Sequence, residues 1–174
     1  PKLYKQLQKL ANHPQKGKPE EVAAFDYIYG MLYSASYRKA YAQFLKADFA
    51  HIPWPESPDA FWSIAERGAA LRQLHLMNPT AIGNTPYPFT GNGDNVVVAP
   101  KLQDGKIWIN DGQYFDSVPH GVWETSIGGY EPAQKWLKDR RGTPLSFNDV
   151  KDFQKVIKIL SETNRLISES TAAG

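Results

Sequence analysis

Ser146 and Asp149 stand three residues apart immediately before an apolar series, Val150, Phe153, Ile157, Leu160, Asn164 and Ile167, stepped 3-4-3-4-3. The first pair has the form of a capping box, in which each side chain satisfies a backbone N–H that the first helical turn leaves unpaired. The stepped series is the narrow seam of a helix that packs along its length against other helices. A chain that ends in such a helix must supply helices to meet it. This requirement limits the fold more than any other feature.

Those partners are legible in the first half. Pro19 opens a helix with Glu20 and Glu21 in its first turn, where the helix dipole favours acids. Val22, Phe25, Ile28 and Leu32 define its expected buried face. A second helix is expected from Tyr37 to Lys46, then an extended stretch, "DFAHIPWPESP", with three prolines. Ser57 reads as an N-cap with Pro58 at the first helical position, and Phe61, Ile64, Ala65, Leu71 and Leu74 form the stripe of a helix reaching about Met77.

From Asn78 the texture changes to Gly, Asn, Pro and short β-branched runs. "NVVVAP" (95–100) and "KIWIN" (106–110) flank an Asp-Gly bend and predict a hairpin, and "VWETSI" (122–127) alternates like a third strand. Pro132 then opens a short helix that Gly142 should close at C′. The expected class is α+β: helical hairpins, a small antiparallel β meander and a long C-terminal helix packed back on the helices. One domain is expected over 1–174, with a helical part (1–77), a β-rich part (78–130), a C-terminal helical part (131–168) and a disordered tail (169–174). Because the chain opens at Pro1 and ends in "STAAG", it reads as a piece of a longer protein.

Bulk properties exclude several chemistries. There is no cysteine, so disulfides, thiolate metal sites and cysteine nucleophiles are absent. No apolar run approaches the roughly 20 residues that span a bilayer. His13, His51, His75 and His120 lie far apart without metal-ligand spacing, so no metal is expected. "GNTPYPF" (83–89) superficially matches the Asn-Pro-Pro-aromatic loop that holds a flipped adenine. Thr85 replaces the first proline, however, and no apolar strand or Gly-rich cofactor turn accompanies it, so it is read as a proline-rich loop. No nucleophile elbow or phosphate-binding Gly-Lys-Ser/Thr loop occurs, and no catalytic residue is expected in this chain.

The net charge is only +2, so an anionic partner must be met by local clustering. Lys135, Lys138, Arg140 and Arg141 come from one short helix and the turn after it, and Lys151, Lys155 and Lys158 share one face of the next. Cations at a helix C-terminus are also what the dipole prefers, so a purely structural cluster is the competing reading. Gly128 and Gly129 are read as the sharp entry into the short helix, with Trp136 and Leu137 docking it on the core.

The stretch "FDYIYGMLYSASYRKAYAQFLKADFAHIPWP" (25–55) resembles a helical segment of the C-terminal specificity regions of single-chain restriction–modification methyltransferases. Residues 109–167, with "IGGYEPAQKWLKDRRG" at their centre, resemble the terminal part of type ISP restriction enzymes and related N6-adenine methyltransferases. Together the two stretches cover about half the chain in the family's order. The resemblance implies a prokaryotic, cytoplasmic target-recognition domain without catalysis of its own. Its partners would be double-stranded DNA and the methyltransferase domain of the same polypeptide, which would use S-adenosylmethionine; no cofactor is expected in this chain. On that reading Lys135, Lys138, Arg140, Arg141, Lys151 and Lys155 are the expected phosphate contacts, and Gln134, Asn92, Asn95 and Gln113 the expected base-reading residues. The alternative is a helical protein–protein docking module whose basic patch meets an acidic partner or other domains of its parent protein.

Overall fold

The computed structural model describes residues 2–34, 52–127 and 129–172. They divide into two compact units, residues 1–76 with 165–174, and residues 77–164. The helix expected over 37–46 lies outside the described residues.

The first unit is built on α1 (Lys2–Leu10), α2 (Glu21–Tyr33) and α3 (Pro58–His75). α3 begins as its sequence requires: the Ala60 N–H donates to Ser57 Oγ at 3.0 Å and Pro58 occupies the first turn. Its stripe is buried at Phe61, Ala65, Leu71 and Leu74. α2 and α3 touch backbone to backbone. A Cβ on Gly30 would lie 2.3 Å from the Ile64 carbonyl oxygen, and one on Gly68 only 1.7 Å from that of Asp26. Beside this contact Arg72 Nε donates to the buried Asp26 carboxylate at 2.7 Å. Tyr27 stacks on Phe61 and donates to the Pro53 carbonyl at 2.7 Å, and burial, then the charge of Glu56, pushes its phenol up to about 12.

The face of α2 is a correction. Val22, Phe25 and Ile28 are 61%, 53% and 42% exposed, while Asp26, Tyr27 and Gly30 are buried. The segment is apolar around most of its circumference, so its spacing is compatible with more than one stripe. The glycine contact and the Asp26–Arg72 bond decide which stripe turns inward.

The second unit holds α4 (Pro79–Ile82), β1 (Phe89–Gly91), β2 (Lys101–Gln103), β3 (Lys106–Trp108), β4 (Gln113–Phe115), α5 (Pro132–Lys138) and the start of α6 (Phe147–Ala172). The four strands form one antiparallel sheet in the order β1-β4-β3-β2. Phe115 pairs with Phe89 on one side and Ile107 on the other. Asp104 and Gly105 make the two-residue turn between β2 and β3, with φ of 56° and 72°. Both left-handed values match the twist of the strands, which is why Asp-Gly is favoured there.

The hairpin is therefore real but displaced. Its first strand is Lys101–Gln103, and the Val96–Val97 stretch instead bridges Pro144 and Arg141. The expected strand 122–127 is instead a turn at 122–124 and a single bridge from Ile127 to Tyr130, with Thr125 Oγ1 donating to the Gly121 carbonyl at 2.7 Å, an alternative that hydroxyl side chains offer the backbone. β1 and β4, neither of them expected, complete the sheet. The capping box forms as read: Asp149 N donates to Ser146 Oγ and Ser146 N to Asp149 Oδ2, both at 3.0 Å. Phe153, Ile157 and Leu160 are buried, but further on Thr163 and Leu166 replace Asn164 and Ile167 at the inward positions. Leu166 joins Leu71 and Leu74 in the first unit, and α6 runs on to Ala172 through most of the stretch expected to be a tail.

Candidate nucleic-acid interface

α5 is anchored from beneath. Ala133 and Leu137 are fully buried in the core of the second unit, and the Trp136 ring lies 5.1 Å from that of Phe153. This leaves Lys135, Lys138 and Asp139 on the outer surface. The helix ends at Lys138, so Gly142 is not its C′ residue. It takes φ of 77° four positions later, where its N–H donates to the Val97 carbonyl at 2.8 Å and ties the turn to the 95–97 stretch.

The cations fall into distinct environments. Arg140 is the most constrained: its guanidinium carbon sits 3.6 Å from the centre of the Trp136 ring, and Nη1 donates to the Trp136 carbonyl at 2.9 Å. Lys151 lies 4.4 Å over the ring of Phe147, and Lys135 lies 6.0 Å over that of Tyr130. Lys135 also pairs with Asp139 at 2.7 Å, and that bond holds its ammonium above the ordinary lysine range. Lys138 reaches the Gln134 side chain at 3.4 Å. Arg141 and Lys155 are exposed and have no side-chain partner among the described residues. Lys158 is turned to Glu162 at 3.5 Å.

The residues expected to read bases separate sharply. Gln113 is 4% exposed. Its Oε1 accepts from Asn95 N at 2.8 Å and Asn110 Nδ2 at 3.0 Å, while its Nε2 donates to Asn95 Oδ1 at 2.7 Å. Asn95, at φ 64°, also donates to the Leu145 carbonyl. These two side chains staple the 95–97 stretch to β4 within the fold. Gln134 donates to the Trp123 carbonyl at 2.9 Å and fastens the turn that replaces the expected strand. Asn92 alone of the four is exposed with no hydrogen bond to the described residues.

Elsewhere, Tyr87 of "GNTPYPF" is buried, accepts from Gln154 Nε2 at its carbonyl (2.9 Å) and has its phenol pushed up by burial and then by Glu162. It serves packing. His13 pairs with Asp59 at 2.7 Å and His75 with the Tyr29 hydroxyl. No helix among the described residues is long and apolar enough to cross a membrane.

Sequence reasoning missed Phe147. It stands three residues before Val150, in phase with the seam, yet it is 74% exposed, and its phase gave no sign of this.

The α+β fold, with its four-stranded antiparallel sheet and long C-terminal helix, corresponds to a recognised class of domain. The family model described as the Type ISP C-terminal specificity domain matches residues 1–169, and the chain belongs to that family. Three solved structures are similar. One is a nuclease-deletion mutant of the Type ISP restriction–modification enzyme LlaGI in complex with a DNA substrate mimic (24% identity, 88% of this chain and 14% of that one, TM-score 0.65). Another is the DrdV–DNA complex (20% identity, 95% and 19%, TM-score 0.74). The third is the ATP-dependent Type ISP restriction–modification enzyme LlaBIII bound to DNA (21% identity, 95% and 12%, TM-score 0.67). The chain thus spans less than a fifth of the length of each. No curated protein sequence matches it at a significant level.

Proposed function

We propose that the chain is the DNA target-recognition domain of a restriction–modification enzyme, choosing the sequence on which chemistry housed elsewhere in the polypeptide acts. That chemistry is methyl transfer from S-adenosylmethionine to adenine N6, with this domain seated beside the methyltransferase part and contributing no catalytic group. A methyltransferase that acts on a base within a duplex must extrude that base, and a separate module is then free to choose its surroundings.

The observation that carries this reading is the set of cations mounted on aromatic rings: Arg140 on Trp136, Lys151 on Phe147 and Lys135 on Tyr130. A ring beneath a cation restricts where the charge sits without consuming its outward donors. Arg140 keeps the rest of its planar fork for a phosphate, which suits bidentate contact. Arg141, Lys138 and Lys155 extend the same polarity. Such contacts fix the register of a protein on a duplex, and their affinity falls steeply with salt.

The test is duplex binding by the intact enzyme as a function of salt. R140E/R141E should weaken binding to every sequence alike and flatten the dependence of log affinity on log salt by about one to two units. Wild-type affinity and slope in that variant would remove the assignment.

A further inference from the structure

With Gln113 and Asn95 engaged inside the fold and Gln134 held on a carbonyl, most of the expected base-reading set is accounted for structurally. The question is what on this surface meets the bases instead. Phe147 is the most exposed large apolar residue among the described residues, at 74%. It lines an open groove of about 510 Å³ together with Lys151, Phe89, Gly91, Val150, Asn95 and Gln113. Asn92 follows Gly91 and Asn148 follows Phe147; both are exposed, and neither side chain hydrogen-bonds to the described residues.

The charge around the groove favours an anionic partner. Of the carboxylates next in sequence to lining residues, Asp94 accepts from Val96 N at 3.1 Å and Asp149 from Ser146 N at 3.0 Å, while Asp152, after Lys151, is exposed. Lys151 is exposed over the Phe147 ring, and Lys155 stands one turn further along α6. Arg141 enters from the segment that bridges Val97, just before α6 begins. An exposed aromatic ring under a lysine in an open groove suits a surface that is anionic outside and apolar within. Duplex DNA has this character, with phosphates flanking grooves in which base faces and thymine C5-methyl groups are the apolar elements.

We infer that Phe147 is a base-contacting, specificity-determining residue: its exposed ring on the first turn of α6, beside Lys151, makes apolar contact with the bases of the target site. The inference rests on the target-recognition reading. It assigns to the ring a role that the phosphate-directed cations cannot fill, because phosphates carry no sequence information.

The experiment uses the intact enzyme and its preferred site, selected from a randomised duplex library. F147A should lower affinity for that site by about tenfold or more while leaving affinity for unrelated duplex unchanged, so that the ratio of the two collapses. F147L, which keeps apolar bulk, should retain an intermediate ratio. Both variants should unfold at the wild-type temperature, since the side chain is exposed. Two further arms distinguish the source of the contact. If a thymine methyl is met, replacing one thymine by uracil weakens wild-type binding but not that of F147A. If a base face is met, 2-aminopurine at the contacted step brightens on binding wild type and not F147A.

A cognate-to-unrelated ratio in F147A equal to that of wild type overturns the inference. Should that occur while R140E/R141E still loses affinity on all duplexes, the target-recognition reading stands and only the role of Phe147 falls. If the charge reversal also leaves binding untouched, both fall.

Discussion

Gln113 and Arg140 are polar residues with opposite fates. Gln113 makes three hydrogen bonds within the fold, whereas Arg140 makes one and leaves the rest of its fork outward. Replacing Gln113 by Ala should therefore destabilise the second unit by about 2 kcal/mol, through the half-buried Asn95 and Asn110 groups left unpaired. Denaturant unfolding reads the loss, and the base preference of the folded enzyme should not change. His75 gives a pH-dependent counterpart. Burial lowers its pKa below the ordinary value, so its neutral form is favoured in the folded state. The unfolded chain then takes up the proton first as pH drops. Its contribution to stability is intact above about pH 6.5, the unfolded value, and is lost as pH falls through the lower folded value. H75Q should unfold with a flatter dependence on pH across that window than the wild type does. An unchanged profile would show that His75 titrates alike in both states.

At the scale of elements, the α2–α3 contact depends on two glycines that hydrophobic spacing does not single out. G68A would push a methyl group into the Asp26 carbonyl, which is backbone and cannot swing aside. A loss of about 3 kcal/mol is expected, measured by thermal or denaturant unfolding, and a near-neutral effect would contradict the close packing. Terminal signals were the most legible part of the sequence. The Ser57 cap, the Ser146–Asp149 box and the Asp104-Gly105 turn all stand where local chemistry puts them, since each is satisfied by atoms within a few residues. What local pattern misread were choices made by distant partners. Val97 pairs across to Arg141 rather than within a hairpin, and the inward stripe of α2 is chosen by Ile64, Gly68 and Arg72 on α3. The candidate site divides in the same way. Clustering of Lys and Arg is visible along the chain, whereas the exposure of Phe147 and the internal bonds of Gln113 depend on tertiary packing.

For the whole molecule, family membership over residues 1–169 and the ring-mounted cations support one account: a domain that selects sequence for chemistry performed elsewhere. The most direct measurement exchanges this chain for the corresponding domain of LlaGI and selects bound sites from a randomised duplex library. The account predicts that the chimera abandons the LlaGI sequence for a new preference carried by the exchanged domain, and that F147A relaxes that preference. A chimera that binds DNA but still selects the LlaGI sequence would contradict it.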